Sequence, residues 1–415
     1  MSPRPDVYDA AVIGAGLSGL AAAVALAGPA VRVPLEVLLI DAGDPREYRD
    51  ASFDGRASAI TLTSRRMLEA LDLWGGLEPD AQPMNEIIVT DSTLDAPRRP
   101  ALLHFGDEAA AGGPTAWMVE NRHLYAALHD AADAAPDIAI LPKSRVEHFE
   151  FTRPAARLRL GSGETVEARL VVAADGRGSP ARRAAGIETF DWAYGQTAIV
   201  ATVEHEKEHG GRAEEHFLPA GPFAILPLTG RRSSLVWTEE KAEAERIVAL
   251  DEEPFAEELK RRFGDHLGEV KPVGPRHAYP LSMHLAKSFI GPRLALIGDA
   301  AHVVHPIAGL GFNLALRDVA ALAESVAEAV RLGLDHGGPA ALERYQSWRR
   351  LDTMMVALMT DGLNRLFSND VAPVRLVRDL GLTLVDRAAP LKGFFMREAA
   401  GLTGRLPKLL SGEPV

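Results

Sequence analysis

The chain has 415 residues, enough to bury a large core, and its 47% hydrophobic and 25% charged content is ordinary for a soluble globular protein. A net charge of −12 argues against nucleic acid as a general partner, and the lack of cysteine excludes disulfides, thiolate-held metals, iron–sulfur clusters and a cysteine nucleophile. No run of about 18 apolar residues is present to span a membrane, no secretory signal is expected before the first strand-like run, and the 13 histidines show no metal-ligand spacing, so no metal is expected.

Tyr8 to Ile13 reads as a buried parallel strand, followed by Gly14-Ala15-Gly16-Leu17-Ser18-Gly19 and a helix from Leu20 to Ala27. GxGxxG alone arises readily by chance, but here it stands between strand and helix, where a dinucleotide phosphate is held. The next strand, Val37 to Ile40, ends at Asp41, a carboxylate placed to accept ribose hydroxyls. Arg56 follows in Asp54-Gly55-Arg56-Ala57-Ser58-Ala59, and a helix from Ser64 to Leu73 has Ser64 as its expected cap. Arg122, in Glu120-Asn121-Arg122-His123-Leu124, opens a helix running to about Ala132; its guanidinium fork suits phosphate. Short strands between Arg145 and Ala174 lead into Asp175-Gly176-Arg177-Gly178-Ser179, where Ser179 can cap the next helix.

From Tyr194 to about Leu285 the character changes to antiparallel strands, among them Thr197–Val203, Glu215–Leu218, Phe223–Pro227 and Ser234–Trp237, interrupted by helices near Lys241–Leu250 and Pro254–Phe263. Phe217, Phe223 and Ile225 either face an apolar ligand or are plain core. The stretch Gly298 to Asn313, GDAAHVVHPIAGLGFN, reads as a turn after a buried strand, a loop with Pro306, and a glycine-rich helix start. Helix N-termini favour anions, and Gly309 and Gly311 let a flat ligand approach the backbone. A long helix or helix pair spans Pro339 to Phe367, and Met354-Met355 within it reads as core packing. Between Arg365 and Lys408 there are eight basic and four acidic residues interspersed with Leu391, Phe394, Phe395, Leu406, Leu409 and Leu410. Such a segment either packs on the body or lies on an anionic membrane surface.

Gly298-Asp299-Ala300-Ala301-His302, His305-Pro306, Ala308-Gly309-Leu310-Gly311 and Asn313-Leu314-Ala315 together resemble the flavin-dependent aromatic hydroxylases, and within them the ubiquinone-biosynthesis hydroxylases. Leu310 stands where that family usually has Gln, and Ala315 where it usually has Gly. The resemblance extends from Val7 to the tail motif Leu406-Pro407-x-Leu409-Leu410-x-Gly412. It implies an α/β fold: a Rossmann-like FAD-binding domain with an interleaved antiparallel-sheet substrate domain and a helical C-terminus. The expected division is FAD-binding residues 1–75, 119–190 and 287–335, substrate-domain residues 76–118 and 191–286, and a helical C-terminal region 336–415. It implies one tightly held FAD, NAD(P)H as transient electron donor, and O2-dependent hydroxylation of the aromatic ring of a lipophilic prenylated phenol. The implied cofactor-binding residues are Gly14, Gly16, Gly19, Asp41, Arg56, Arg122, Asp175, Gly298, Asp299, Pro306, Gly309, Gly311 and Asn313. His305 is the one candidate acid/base, by position and titration range, or else merely orients its loop. The implied location is cytoplasmic and peripheral to the inner face of the membrane, with a quinone-biosynthesis complex as a candidate partner. A hydroxylase of a small soluble aromatic, or a flavin-holding scaffold, is the alternative.

Overall fold

The computed structural model describes residues 5–28, 30–33, 35–49, 53–94, 101–106, 113–309, 311–368, 401–402 and 404–415. Leu310, Leu391, Phe394 and Phe395, which the sequence reading singled out, lie outside them, as does most of the basic tail segment.

The first sheet is built on parallel strands. Leu294–Leu296, Thr165–Ala173, Tyr8–Ile13, Val37–Ile40 and Ile138–Leu141 lie side by side in that order. Their central residues are apolar because both faces of these strands are buried in the main core. One cover is the glycine helix, Leu17–Ala27, nine of whose eleven residues are buried. A hairpin, Val146–Phe151 with Ala156–Leu160, branches from the first half of the interior strand Thr165–Ala173.

The second sheet has eight strands. Its middle runs Val270–Ala286, Thr189–His205, Arg232–Glu240, Gly221–Leu228, Arg212–Leu218 and Glu86–Asp91. All these pairings are antiparallel except the last: Arg212–Leu218 runs parallel to Glu86–Asp91, because the latter arrives from a distant part of the chain. Phe223, Ile225, Leu235 and Trp237 pack on one face against Phe255, Leu259 and Phe263 of the helix Glu252–Phe263. Phe223 and Ile225 are therefore core. Phe217 points the other way, stacking on Phe367 at 4.0 Å between ring centres and packing with Ile307.

A third, three-stranded sheet joins Ala57–Thr61, Ala116–Glu120 and Ala81–Met84. It straddles the boundaries anticipated near residues 75 and 118, since strand pairing ties the first nucleotide-binding segment to its insertion. The helix after Thr61 runs Leu62–Ala70, and Thr61, not Ser64, is its cap: the Thr61 hydroxyl accepts the N–H of Ser64. Pro339–Phe367 is a single helix. Its Met354 and Met355 are exposed rather than core, because their face of the helix points away from the body. Leu409 and Leu410 are buried in the main core.

Candidate flavin site

The glycine loop divides its labour. A Cβ on Gly14 would lie 2.5 Å from the Ala174 carbonyl oxygen, and one on Gly19 would lie 1.8 Å from the Gly14 carbonyl oxygen. These two glycines let strand, turn and helix close on each other. A Cβ on Gly16 would meet nothing within 4 Å, so that residue faces open space. The helix beginning there has no side-chain cap and no acidic residue in its first turn. Its first amides are free for an anion. Asp41 accepts the N–H of Ala15 at 2.6 Å and that of Gly43 at 2.7 Å. These bonds fix the carboxylate beside the glycine loop, with lone pairs remaining for hydroxyls.

The Gly298–Asp299 turn lies in a 3-10 element between the strand Leu294–Leu296 and His302–Val303. Gly298 has φ +55°, and a Cβ there would lie 2.9 Å from Ser18 Oγ of the glycine helix. The turn and the glycine loop thus meet. Asp299 is accessible, yet its carboxyl sits deep enough that burial raises its pKa, against the pull of His302, His284 and Arg177. Accessible but enclosed is what a residue bordering an internal cleft shows. Beyond it, Gly309 has φ +62°, and a Cβ would lie 3.2 Å from that of Ala59. Its N–H closes a turn on Pro306 O at 3.0 Å. The helix Gly311–Arg331 then starts with no acidic residue in its first turn, and Gly311 faces open space. Two helix N-termini, two bare glycines and the Asp299 carboxyl therefore border one cleft. This is a cradle for an elongated anionic ligand with a flat end, and FAD fits it.

Comparison with known proteins agrees. The model of the FAD binding domain matches residues 7–358. The chain is 48% identical to the ubiquinone hydroxylase UbiL of Rhodospirillum rubrum, over 99% of this chain and 94% of that one. It is 32% identical to the 3-demethoxyubiquinol 3-hydroxylase of Escherichia coli, over 94% of this chain and 98% of that one. The crystal structure of p-nitrophenol 4-monooxygenase PnpA from Pseudomonas putida matches with a TM-score of 0.78 at 17% identity, covering 96% of this chain and 99% of that one; the likeness is one of fold. The chain belongs to the FAD-dependent aromatic hydroxylases. It is an FAD-dependent aromatic-ring monooxygenase.

The remaining residues of the hydroxylase site divide into holders and positioners. Arg56 pairs with Asp54 at 2.6 Å; burial works against its charge, but Asp54 outweighs it and the guanidinium pKa is raised. Arg122 pairs with Glu120 at 2.8 Å and lies 5.5 Å from the Phe53 ring centre. Arg232 reaches the same buried Glu120 at 2.7 Å, so this carboxylate aligns two arginines. Asp175 spends one oxygen on the N–H of Ala181 at 3.1 Å, and burial raises its pKa against that bond and the one to Ser179. Its other oxygen is buried without a partner among the described residues.

Asn313 is a positioner. Its side chain accepts the N–H of Thr61 at 3.0 Å and donates to Ala59 O at 2.7 Å and Gly309 O at 3.2 Å. That spends its amide hydrogens, so its side chain holds the loop against the Ala57–Thr61 strand instead of donating to the cofactor. His305 is wholly buried, 5.1 Å between ring centres from Tyr194, and neither ring nitrogen has a partner among the described residues. Burial lowers its pKa to about 4 despite Asp361. The titration-range argument for His305 as an acid/base therefore fails: the imidazole is neutral at physiological pH.

Sequence reasoning missed Asp318. It is wholly buried, accepts His302 Nε2 at 2.6 Å, Arg349 Nε at 2.8 Å and the N–H of Gly298 at 3.0 Å. Burial raises its pKa, but His302 and Arg349 together hold it below the ordinary value. This network underpins the Gly298–Asp299 turn. Its signal was an aspartate, beside Arg317, inside the largely apolar helix run Leu314–Ala323. Ala315, where the family usually has Gly, is buried in that helix and faces Gly298; the bare Gly298 leaves room for it.

Proposed function

We propose that this hydroxylase acts on the aromatic ring of a polyprenylated phenol in ubiquinone biosynthesis, with NAD(P)H and O2, at the membrane surface. The observation that carries the reading is the 48% identity to a ubiquinone hydroxylase over 99% of the chain. The substrate's tail would partition into lipid, so the protein must meet a bilayer. No described helix is long and apolar enough to cross one. Leu351, Met355 and Leu358, each more than half exposed on the helix Pro339–Phe367, support a peripheral contact.

Gly14, Gly16 and Gly19 with the first amides of the glycine helix would hold the FAD pyrophosphate, and Asp41 the ribose hydroxyls. Arg56 and Arg122 supply positive charge on the phosphate side, aligned by Asp54 and Glu120. Asp175, Gly298, Asp299, Pro306, Gly309 and Gly311 would border the ring. Bound FAD, reduced by NAD(P)H, supplies activation of O2 for transfer of one oxygen atom to an aromatic carbon. The N-terminus of the Gly311–Arg331 helix favours negative charge on that ring. Asn313 and neutral His305 hold the loop in place.

The test is a lipid-extract mass profile of a strain lacking the gene, and of that strain carrying the native gene or Asp299→Ala. Accumulation of a prenylated phenol one oxygen short in the first and last is the expected result, and the mass names the step. Normal quinone in the deletion strain sinks the substrate assignment. A defect in the deletion alone assigns a scaffold role.

A further inference from the structure

On the strand Arg212–Leu218, alternate residues face opposite ways. Glu214 and His216 ion-pair at 3.1 Å on the face that carries Leu218 towards the helices. Ala213 and Phe217 face the flavin-binding body. Ala213 packs with Ala59, Met84, Ala116 and Met118, and Phe217 packs with Ile307 and Phe367. Glu215 lies between them on that same inner face.

Strand register places Glu215 in a rung that crosses the sheet. Val89 and Ala224 flank it, then Val236, Val200 and His277 follow on successive strands. The rung is unlike its neighbours. On one side, Ala213, Ser234 and Thr202 are buried while Ile87, Leu226 and Val273 are partly accessible; on the other, Asp91, Phe217, Pro222, Thr238 and Ala198 are buried. In the middle, Val89, Glu215, Val236, Val200 and His277 remain partly accessible, and Ala224 is buried. These partly accessible residues lie on the sheet face that Phe217 turns toward Ile307 of the loop His305–Gly309, and they outline the floor of a candidate cavity there. Val89, Val236 and Val200 make that floor largely apolar, and Glu215 is its carboxylate.

Glu215 has no hydrogen bond or ion pair among the described residues. A carboxylate without a partner in an apolar cavity is costly, so it is the mark of a ligand-facing group. The titratable groups facing this space are Asp91 on the Val89 strand, His277 at the far end of the rung, and His305 in the loop. His277 is already bonded to Asp54 O at 2.8 Å.

We infer that Glu215 is the base that accepts the hydroxyl proton of a phenolic substrate in this cavity. This rests on the proposed substrate class and names the residue that activates it. The step balances simply: the substrate O–H breaks, its proton goes to the Glu215 carboxylate, and the electron pair stays on the phenolic oxygen. That raises electron density at the ortho and para carbons, one of which forms the new C–O bond. The oxygen atom comes from O2; the second atom leaves as water, with two electrons supplied by NAD(P)H. Loss of the ring hydrogen as a proton restores aromaticity, and the Glu215 proton returns to the phenolic oxygen. Burial pushes the Glu215 carboxyl up to about 7, a value at which a carboxylate both holds and releases a proton near neutrality.

The test uses the FAD-loaded full chain and 2-farnesylphenol as probe, with native protein, Glu215→Gln and Glu215→Asp. Hydroxylated product is measured from about pH 5.5 to about pH 9. Phenol ionisation on binding is read separately, without NAD(P)H, from the ultraviolet difference spectrum. In the native protein kcat/KM rises with pH through about 7, since the base must be ionised. Glu215→Gln loses that limb, falls by about 10²- to 10⁴-fold, and binds the probe as neutral phenol with its FAD content intact. Glu215→Asp keeps the limb at a lower rate, which separates proton transfer from folding. A Glu215→Gln protein with native rate and profile overturns the inference while leaving the substrate class standing. So does a native kcat/KM that falls through pH 7, which would make Glu215 a donor. A native holoenzyme that produces no hydroxylated probe overturns the substrate class, and the role of Glu215 with it.

Discussion

Replacing Asp318 with alanine tests whether the Gly298–Asp299 turn is held from beneath. The substitution removes acceptors from His302, from Arg349 and from the Gly298 N–H. Arg349 is 4% exposed and would keep Asp352 as its ionic partner. Breaking a buried ion pair from one side costs about 3–5 kcal/mol, and a stranded buried amide costs about 1–3 kcal/mol. The contributions share partners and do not add, so about 4 kcal/mol is the expected loss. For a chain of this size that lowers the melting temperature by roughly 5 °C. Thermal unfolding followed by tryptophan fluorescence, with FAD content measured on the same samples, reads both consequences. A melting temperature within about 1 °C of the native value, with full FAD, would refute the reasoning. The pH dependence has a definite sign. Because the Asp318 carboxyl is lowered in the folded state, its contribution is complete above about pH 4 and is lost as pH falls through the folded value. Asp318→Asn mimics the protonated form, so its stability gap from the native protein should narrow only below about pH 4.

Gly16→Ala should leave the FAD-free protein as stable as native while weakening FAD binding about tenfold or more, because its Cβ enters open space on the ligand side. Gly19→Ala should lower the melting temperature of the FAD-free protein itself, because its Cβ collides with Gly14; equal behaviour of the two in calorimetry and FAD titration would refute the division. Asn313→Ala loses three hydrogen bonds worth about 1 kcal/mol each, so roughly 3 kcal/mol, measurable by denaturant unfolding. His305→Gln should leave every limb of the kcat profile in place between about pH 5.5 and about pH 8, since the native imidazole titrates near 4. Disappearance of a limb in that range would restore His305 as a titrating catalyst.

The nucleotide-binding half was legible because its demands fall on short runs of sequence. A strand, three glycines at fixed spacing and an acid after the next strand each impose a local backbone requirement, and Gly14, Gly16, Gly19 and Asp41 meet there in space. The same holds for Gly298, Asp299, Gly309 and Gly311. What was not legible depends on pairing between distant segments. Thr61 displaces Ser64 as the cap because the strand it ends pairs with Ala116–Glu120, which no local pattern announces. Met354 and Met355 read as core by type, yet which face of a helix is covered is decided by its neighbours.

Polar residues show the limit most clearly. His305 and Asp318 were judged by residue type: the histidine drew a chemical role and the aspartate none. Burial reverses both. It strips His305 of its titration near neutrality, and it makes Asp318 the anchor of the turn. Asn313 sits in the right motif but spends its side chain on three backbone groups. Glu215 was read only as the start of a strand, although the order Ala213-x-Glu215-x-Phe217 sets a carboxylate among inward-facing apolar residues. Such an alternation has two explanations, a solvent-facing edge or a cavity. The register through Val89, Ala224 and Val236 puts Glu215 on an interior strand and excludes the edge. In this fold the glycines that hold a cofactor can be read one motif at a time, whereas the groups that would act on a substrate are brought together only by strand register.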